Sequence, residues 1–381
     1  VDYDVIVAGA GPAGSAAAAE CARLGLSTLC IEEHGTIGYP VQCAGLLSTL
    51  AFAECRVSDQ SVLNRVSGAK VISGTGTELL IDAKKTRALV VDRGMLDREM
   101  AEAAADAGAD FRVKTQVCGV EKNRVCTRGV RGHETFGFRV LIAADGPRST
   151  IARFLGMGRA KTCLAGIQAD LPGTCDPQFV EIYPDASPEF FGWSIPTGPG
   201  RIRVGICGTS RVPERFRTFL GRFGTSTTHL VTGTLPLGLM PKTYGHSTLF
   251  VGDAAGFAKP TSGGGIYTGV RSARHAAVTA AEACAGDTVT DTVLAAYEQR
   301  WRADFGPELE AGYALFSFRQ SLTGEDMEAL ILALKDPVII RTIEEYGDMD
   351  RPGKLVKKLL LKPAVLRLIR PLLRSGMRSF L

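Results

Sequence analysis

Tyr3-Asp-Val-Ile-Val-Ala-Gly-Ala-Gly-Pro-Ala-Gly14, continuing as Ser-Ala-Ala-Ala-Ala-Glu-Cys-Ala-Arg-Leu-Gly25, is the stretch whose reading decides the fold. An apolar run, Val5-Ile-Val7, feeds straight into Gly9-x-Gly11-x-x-Gly14, and an alanine-rich helical pattern follows. Strand, glycine turn and helix in that order are the context a dinucleotide fingerprint requires. Gly9 makes the tight turn, Gly11 lets the backbone approach a pyrophosphate, and Gly14 lets the helix pack on the strand. The helix N-terminus then presents free N–H groups to the phosphates. A second strand, Thr28-Leu-Cys-Ile-Glu-Glu33, ends at Glu32, about where an acid grips a ribose hydroxyl. The plain alternative is a glycine turn with no ligand; the flanking strand, the helix and the closing acid favour the nucleotide.

With 381 residues, 45% hydrophobic and 22% charged, the chain has room for two or three subdomains of an ordinary globular protein. Its ten cysteines form no CxxC pair and several lie in apolar patterns, which predicts reduced thiols in an intracellular protein. The five histidines are scattered, and the sequence predicts no metal site. No signal peptide is expected, because the nucleotide fold begins at once. The uncharged run from Val5 to Ala19 is too short and glycine-rich to span a bilayer. Charge is unevenly spread. Residues 351–381 carry nine Lys or Arg and no Asp or Glu; the net +4 less those nine cations leaves −5 on the rest.

Further along, Gly35-Thr-Ile-Gly-Tyr-Pro-Val-Gln-Cys-Ala-Gly45 reads as a loop reaching back over the nucleotide. Residues 61–91 read as excursion strands, and a helix is expected from Arg93 to about Ala107. Val140-Leu-Ile-Ala-Ala-Asp-Gly146 is again a buried strand ending in an Asp-Gly turn. Residues 163–240 suggest an antiparallel sheet. Ser247-Thr-Leu-Phe-Val-Gly-Asp253 repeats the strand-to-acid theme, and Thr261-Ser-Gly-Gly-Gly-Ile266 opens a helix to about Ala285. The remainder reads as helical. There is no internal repeat.

Three nucleotide-directed turns, Gly9–Gly14, Asp145-Gly146 and Gly252-Asp253, exceed what a simple nicotinamide site needs. A flavin dinucleotide spans further: an acid can accept from a ribityl hydroxyl, and a glycine run opening a helix offers N–H donors to a reduced ring. The chain resembles the large FAD family that includes aromatic hydroxylases, flavin halogenases and geranylgeranyl reductases. Its motifs stand here in order as Gly9-Ala-Gly-Pro-Ala-Gly14, Ala144-Asp-Gly146 and Val251-Gly-Asp-Ala-Ala-Gly256, over roughly residues 1 to 300. Arg93-x-x-Leu-Asp97 matches the family arginine that contacts FAD. The resemblance implies FAD held by Gly9, Gly11, Pro12, Ala13, Gly14, Glu32, Glu33, Arg93 and Val117. Asp145, Gly146, Gly252, Asp253 and Pro260 complete that set, with Gly263, Gly264, Gly265 and Ile266 at the ring.

Within that family, Pro40-Val-Gln-Cys43-Ala-Gly45 is similar to the Pro-x-x-Cys-Gly loop of geranylgeranyl reductases, including the archaeal enzymes acting on digeranylgeranylglycerophospholipids. Ala44 stands where glycine is usual. Phe191-Gly-Trp193-Ser-Ile-Pro196, with Gly205-Ile-Cys207 beyond it, resembles their Tyr-x-Trp-x-Phe-Pro…Gly-x-Gly pattern. Phe191 replaces Tyr, Ile195 replaces Phe, and Cys207 replaces the second Gly. The resemblance implies that Cys43, Ala44 and Gly45 lie by the flavin, with Cys43 the candidate catalytic residue. It places Phe191, Trp193 and Pro196 on the substrate. Without it, Cys43 is a packed loop residue and the aromatics are ordinary core.

The implied architecture is α/β: a Rossmann-like FAD-binding domain from residues 1–62, 86–160 and 246–299. A β-rich substrate domain of antiparallel sheet is inserted from 63–85 and 161–245, and the C-terminus, 300–381, is helical. The implied activity is saturation of C=C bonds in geranylgeranyl chains of membrane lipids or their precursors, by hydride transfer from reduced flavin. Flavin monooxygenases or halogenases, and membrane electron-transfer flavoproteins, share the frame and stay open as alternatives. An external donor is implied: ferredoxin, NAD(P)H or a deazaflavin.

In the tail, 354–362 and 363–370 place leucines and cations at helical spacing, divided by Pro363 and Pro371. Such basic amphipathic helices bind an anionic membrane surface, which predicts a cytoplasmic protein peripheral on the inner face of the cell membrane. The plain alternative is a solvated terminal helix packed on the body. Nucleic acid is not expected, since no aromatic interleaving accompanies the charge.

Overall fold

The structure is a computed structural model that describes residues 2–224 and 226–362. Its organising strand is Tyr3–Ala8, flanked in parallel by Thr28–Ile31 and Gly132–Ala143, so that Val5 stands opposite both Thr28 and Val140. The sheet runs in the order Tyr244–Gly245, Thr248–Phe250, Gly132–Ala143, Tyr3–Ala8, Thr28–Ile31, Asp110–Arg112. Val5, Ile6 and Val7 are all fully buried. A parallel sheet covered on both faces wants continuous apolar strands, and that is how this one reads.

Helices Pro12–Arg23 and Ile266–Ala285 lie together against the sheet. Their facing residues are small: Ala17, Ala18, Ala273, Ala276 and Ala277 are buried. A Cβ on Gly269 would sit 3.4 Å from the Cβ of Ala13, so glycine at that position admits the close approach.

The chain leaves this layer through Val62–Val66 and returns through Ala88–Val91, which pair in a three-stranded antiparallel sheet with Leu46–Ser48. Between those two strands it contributes Gly68–Ile72 and Glu78–Asp82 to a second, seven-stranded sheet. The other strands of that sheet come from 162–237, and all pairings are antiparallel except Phe179–Tyr183 with Gly68–Ile72. A helix, Val212–Leu220, interrupts the region where strands alone were expected. Val212, Phe216 and Phe219 are its buried stripe, at the i, i+4, i+7 spacing of an amphipathic helix.

From Asp291 the described chain is helical: Asp291–Asp304, Gly306–Gln320, Gly324–Leu334, Pro337–Tyr346 and Gly353–Leu360. Trp301 pins the first of these to the nucleotide layer. It is fully buried, contacts the rings of Phe257 and Phe305, and donates its indole N–H to Thr243 Oγ1 at 2.9 Å. Arg93–Asp106 is the expected helix, with the Asp92 carboxylate accepting from Met95 N at its start. The expected helix 363–370 and its end at Pro371 lie outside the described residues. Among the described residues no helix is long and apolar enough to cross a membrane.

Candidate active site

One cavity of about 1740 Å³ runs from the glycine turn, past Cys43 and Trp193, to the C-terminal helices. Its first arm is walled largely by backbone. The three fingerprint glycines separate by role: a Cβ on Gly9 would overlap the Ala144 carbonyl, and one on Gly14 would overlap the carbonyl of Gly9. Gly11 faces open space within the cavity. Gly11 is also the N-cap of the first helix and offers no side-chain cap, so the first-turn N–H donors stay available to a ligand. Pro12, Ala13, Glu33 and Val117 line the same arm.

Glu32 holds the turn in shape: its carboxylate accepts from Ala10 N and His34 N, both at 2.9 Å. Asp145 Oδ2 accepts from Ile151 N at 3.0 Å, whereas the buried Oδ1 has no partner among the described residues. Burial pushes this carboxyl above its usual range. An orphaned acceptor on a cavity wall suits a polyol hydroxyl, the group a ribityl chain presents. Gly146 follows at φ +75°, and Gly252 (φ +58°) lies against Ala13. Burial raises Asp253 to about 6 despite the opposing Arg93 charge. Arg93 itself is clamped by Asp97 through two 2.9 Å bonds. Together these features fit an extended dinucleotide whose hydroxyls need acceptors and whose phosphates need N–H donors.

At the middle of the cavity, Gly263, Gly264, Gly265 and Ile266 form the loop that opens the 20-residue helix ending at Ala285. A Cβ on Gly265 would lie 2.8 Å from Asp253 Oδ1, so the third nucleotide-directed turn and the glycine run that opens this helix are in contact here. Cys43 faces this junction beside Arg93, and its thiol accepts from Gly45 N at 3.4 Å. The loop carrying it is held by the second sheet: Gln168 donates to Cys43 O (2.8 Å) and Arg203 to Ala44 O (3.0 Å).

Sequence reading missed Gln168 and Arg203, and it also missed a buried ion pair. Lys259 is 7% exposed and pairs with Asp350; its ammonium also donates to Met349 O at 2.8 Å. Asp350 accepts in addition from the Ser48 hydroxyl, and all three residues line the cavity. A lysine inside the apolar run Phe257-Ala-Lys-Pro260 was the available signal. Asp350, in a polar stretch, gave none.

The second arm is apolar. Trp193 meets Phe191 edge to face at 6.3 Å, and Phe191 stacks on Phe190 at 4.1 Å. Gly205 makes room for the indole, since a Cβ there would overlap it. Cys207 is buried, and burial pushes its thiol up to about 12, which leaves it an apolar lining residue. Beyond the aromatics the wall passes to the C-terminal helices, with Phe318, Met327, Leu330, Leu334 and Ile343.

Three named residues lie off the cavity wall. Pro196 is buried within the second sheet. Pro260 lines a separate cavity of about 360 Å³ beside Tyr313 and packs on Gly312. Gly45, at φ +73°, supports the Cys43 loop from behind, against Val91.

Residues 2–215 match the family model of an FAD binding domain. A digeranylgeranylglycerophospholipid reductase of Methanococcoides burtonii is 33% identical over 362 residues, which cover 88% of each chain. A second, from Methanothermobacter thermautotrophicus, is 31% identical across 97% of this chain and 100% of its own. A solved geranylgeranyl bacteriochlorophyll reductase-like protein of Thermoplasma acidophilum shares the fold, with TM-score 0.87 at 24% identity over 97% of this chain and 99% of its own. A flavin-dependent brominase shares it less closely, with TM-score 0.70 at 17% identity over 99% and 100%. The chain therefore belongs to the digeranylgeranylglycerophospholipid reductase family of FAD-dependent oxidoreductases.

Proposed function

We propose that this enzyme saturates the C=C bonds of geranylgeranyl chains carried by a glycerophospholipid or its precursor. The observation that carries the reading is the continuity of a polar, backbone-walled arm with an apolar, aromatic-walled arm in one cavity. FAD, when bound, supplies the hydride. The glycine turn and first helix would hold its pyrophosphate, Glu32 its ribose, Asp145 its ribityl hydroxyls, and Gly263–Ile266 its ring. Phe191 and Trp193 bind the prenyl chain by apolar burial and keep water from it.

Addition to an isolated alkene needs a proton at the second carbon. The Cys43 thiol, at the junction of the arms, is the residue assigned to deliver it. Gln168 and Arg203 position its loop. The flavin's electrons would come from an external donor, since the sequence holds one nucleotide fingerprint rather than two. The nucleotide layer and the seven-stranded sheet act as separate cofactor and substrate domains. The basic tail rests on an anionic membrane, which makes the protein peripheral on its inner face.

The test is anaerobic: the holoenzyme is reduced with dithionite and given a geranylgeranyl glycerophospholipid. Flavin reoxidation with product mass rising by about two hydrogens per bond is the expected result. A flavin that stays reduced until oxygen or a quinone is admitted would overturn the proposal in favour of a monooxygenase or an electron-transfer protein.

A further inference from the structure

The segment 347–360 is at once a wall of the lipid arm and an outer surface of the molecule. Asp350 anchors its start through Lys259 and Ser48, and Arg351 donates to the Tyr267 hydroxyl at 2.6 and 3.0 Å. Gly353 N then donates to Glu308 Oε2 at 2.8 Å, and the helix Gly353–Leu360 begins. Leu355, Val356 and Leu359 of this helix are half-buried and line the cavity, whereas Lys354, Lys357 and Lys358 are exposed. Lys354 and Lys358 sit 5.0 and 5.3 Å from the Tyr346 ring, one turn apart on the outer side. Between 351 and 362 there are five cations and no acid. A helix that only capped an apolar cavity would need its inner face alone. This one also carries an outer face complementary to phosphate.

We propose that the Gly353–Leu360 helix is the door of the lipid arm and that an anionic phospholipid surface is the partner that opens it. The lysines engage lipid phosphates, the apolar face exchanges the cavity for the acyl layer, and a lipid chain enters where Leu355, Val356 and Leu359 stood. This inference rests on the lipid-substrate reading above.

The experiment presents one geranylgeranyl glycerophospholipid to the dithionite-reduced holoenzyme in two forms. One is carried in phosphatidylserine–phosphatidylcholine vesicles, the other dispersed in neutral detergent. In the triple variant Lys354→Glu/Lys357→Glu/Lys358→Glu, turnover of the vesicle-borne lipid is expected to fall roughly a hundredfold, the loss of three cation–surface attractions. Turnover of the dispersed lipid stays within about twofold of wild type. Equal losses in both forms would make the helix merely structural and overturn the proposal. No loss in either would place docking elsewhere and overturn it too. Should the Glu variant lose its flavin, the Lys→Gln triple variant is read by the same two assays. A wild-type enzyme that reduces the lipid in neither form would instead refute the substrate reading, which is a separate result.

Discussion

The backbone-walled arm, proposed above to take the nucleotide, and the apolar arm, proposed to take the lipid, open into one cavity but are walled differently. In the nucleotide arm, glycines bring backbone to the surface, and the glycine turn, Glu32, Asp145 and Asp253 follow the ends of four neighbouring parallel strands of one sheet. In the lipid arm the wall is side chain, drawn from the second sheet, from five helices and from the strap around Asp350. Backbone sites depend on the absence of atoms, so a single added methyl can destroy them. Side-chain sites depend on the presence of atoms, and their losses are graded.

The sharpest way to break this contrast lies within the fingerprint itself. Gly14→Ala places a Cβ onto the Gly9 carbonyl and should abolish folding, read as loss of soluble protein and of cooperative unfolding. Gly11→Ala meets no protein atom within 4 Å and lies at φ −68°. It should fold normally yet bind FAD at least about tenfold more weakly, measured by flavin fluorescence titration. If both variants behaved alike, the separation of packing from ligand roles would be wrong.

Next in size is Lys259→Met. It leaves Asp350 buried and unpaired, and should cost about 3–5 kcal/mol in urea unfolding. Adding Asp350→Leu should recover most of that loss, because the orphaned carboxylate is what destabilises. Trp193→Ala should come third: losing an aromatic wall lowers kcat/KM for the lipid by about 10- to 100-fold, the worth of roughly 1.5–3 kcal/mol of apolar burial. FAD affinity should not change, and a change would mean the arms are not separable there.

The smallest effect concerns Asp253. Its folded pKa of about 6 lies above the ordinary aspartate value of 3.8, because burial disfavours the charge. The folded state therefore holds this proton more tightly than the unfolded chain does. The stability it contributes is full below the unfolded value and is lost as pH rises through about 6. Urea melts of the apoprotein should lose part of this pH dependence in Asp253→Asn. An unchanged profile would show that the Arg93 charge cancels the burial.

Most of the nucleotide arm was legible because its determinants are local. Gly9–Gly14, Asp145-Gly146 and Gly263–Gly265 are short words whose meaning depends on a few neighbours. Trp193, singled out by its motif, lines the cavity, and Gly205 is explained by the indole packed on it. What could not be read was built from distant parts: the clamp of Gln168 and Arg203 on the Cys43 loop, and the meeting of Ser48, Lys259 and Asp350. Pro196 and Pro260 sit beside functional words but off the main cavity wall, Pro196 within the second sheet and Pro260 against Gly312. Helix Val212–Leu220 was hidden by its brevity between strands.

Ser48 and Asp350 stand 302 residues apart. Bringing such ends together costs about 5 kcal/mol of loop entropy beyond a constant term, so this contact forms only once the intervening layers have folded. On the ribosome the order is stricter still. Every glycine turn, Asp145, Asp253 and the ring loop emerge before Asp350 exists. A nascent chain can thus assemble a pocket for its cofactor while the hydrocarbon channel still has no roof. Emergence then has a direction written into it, with the cofactor pocket's residues complete before the segment that roofs the apolar arm.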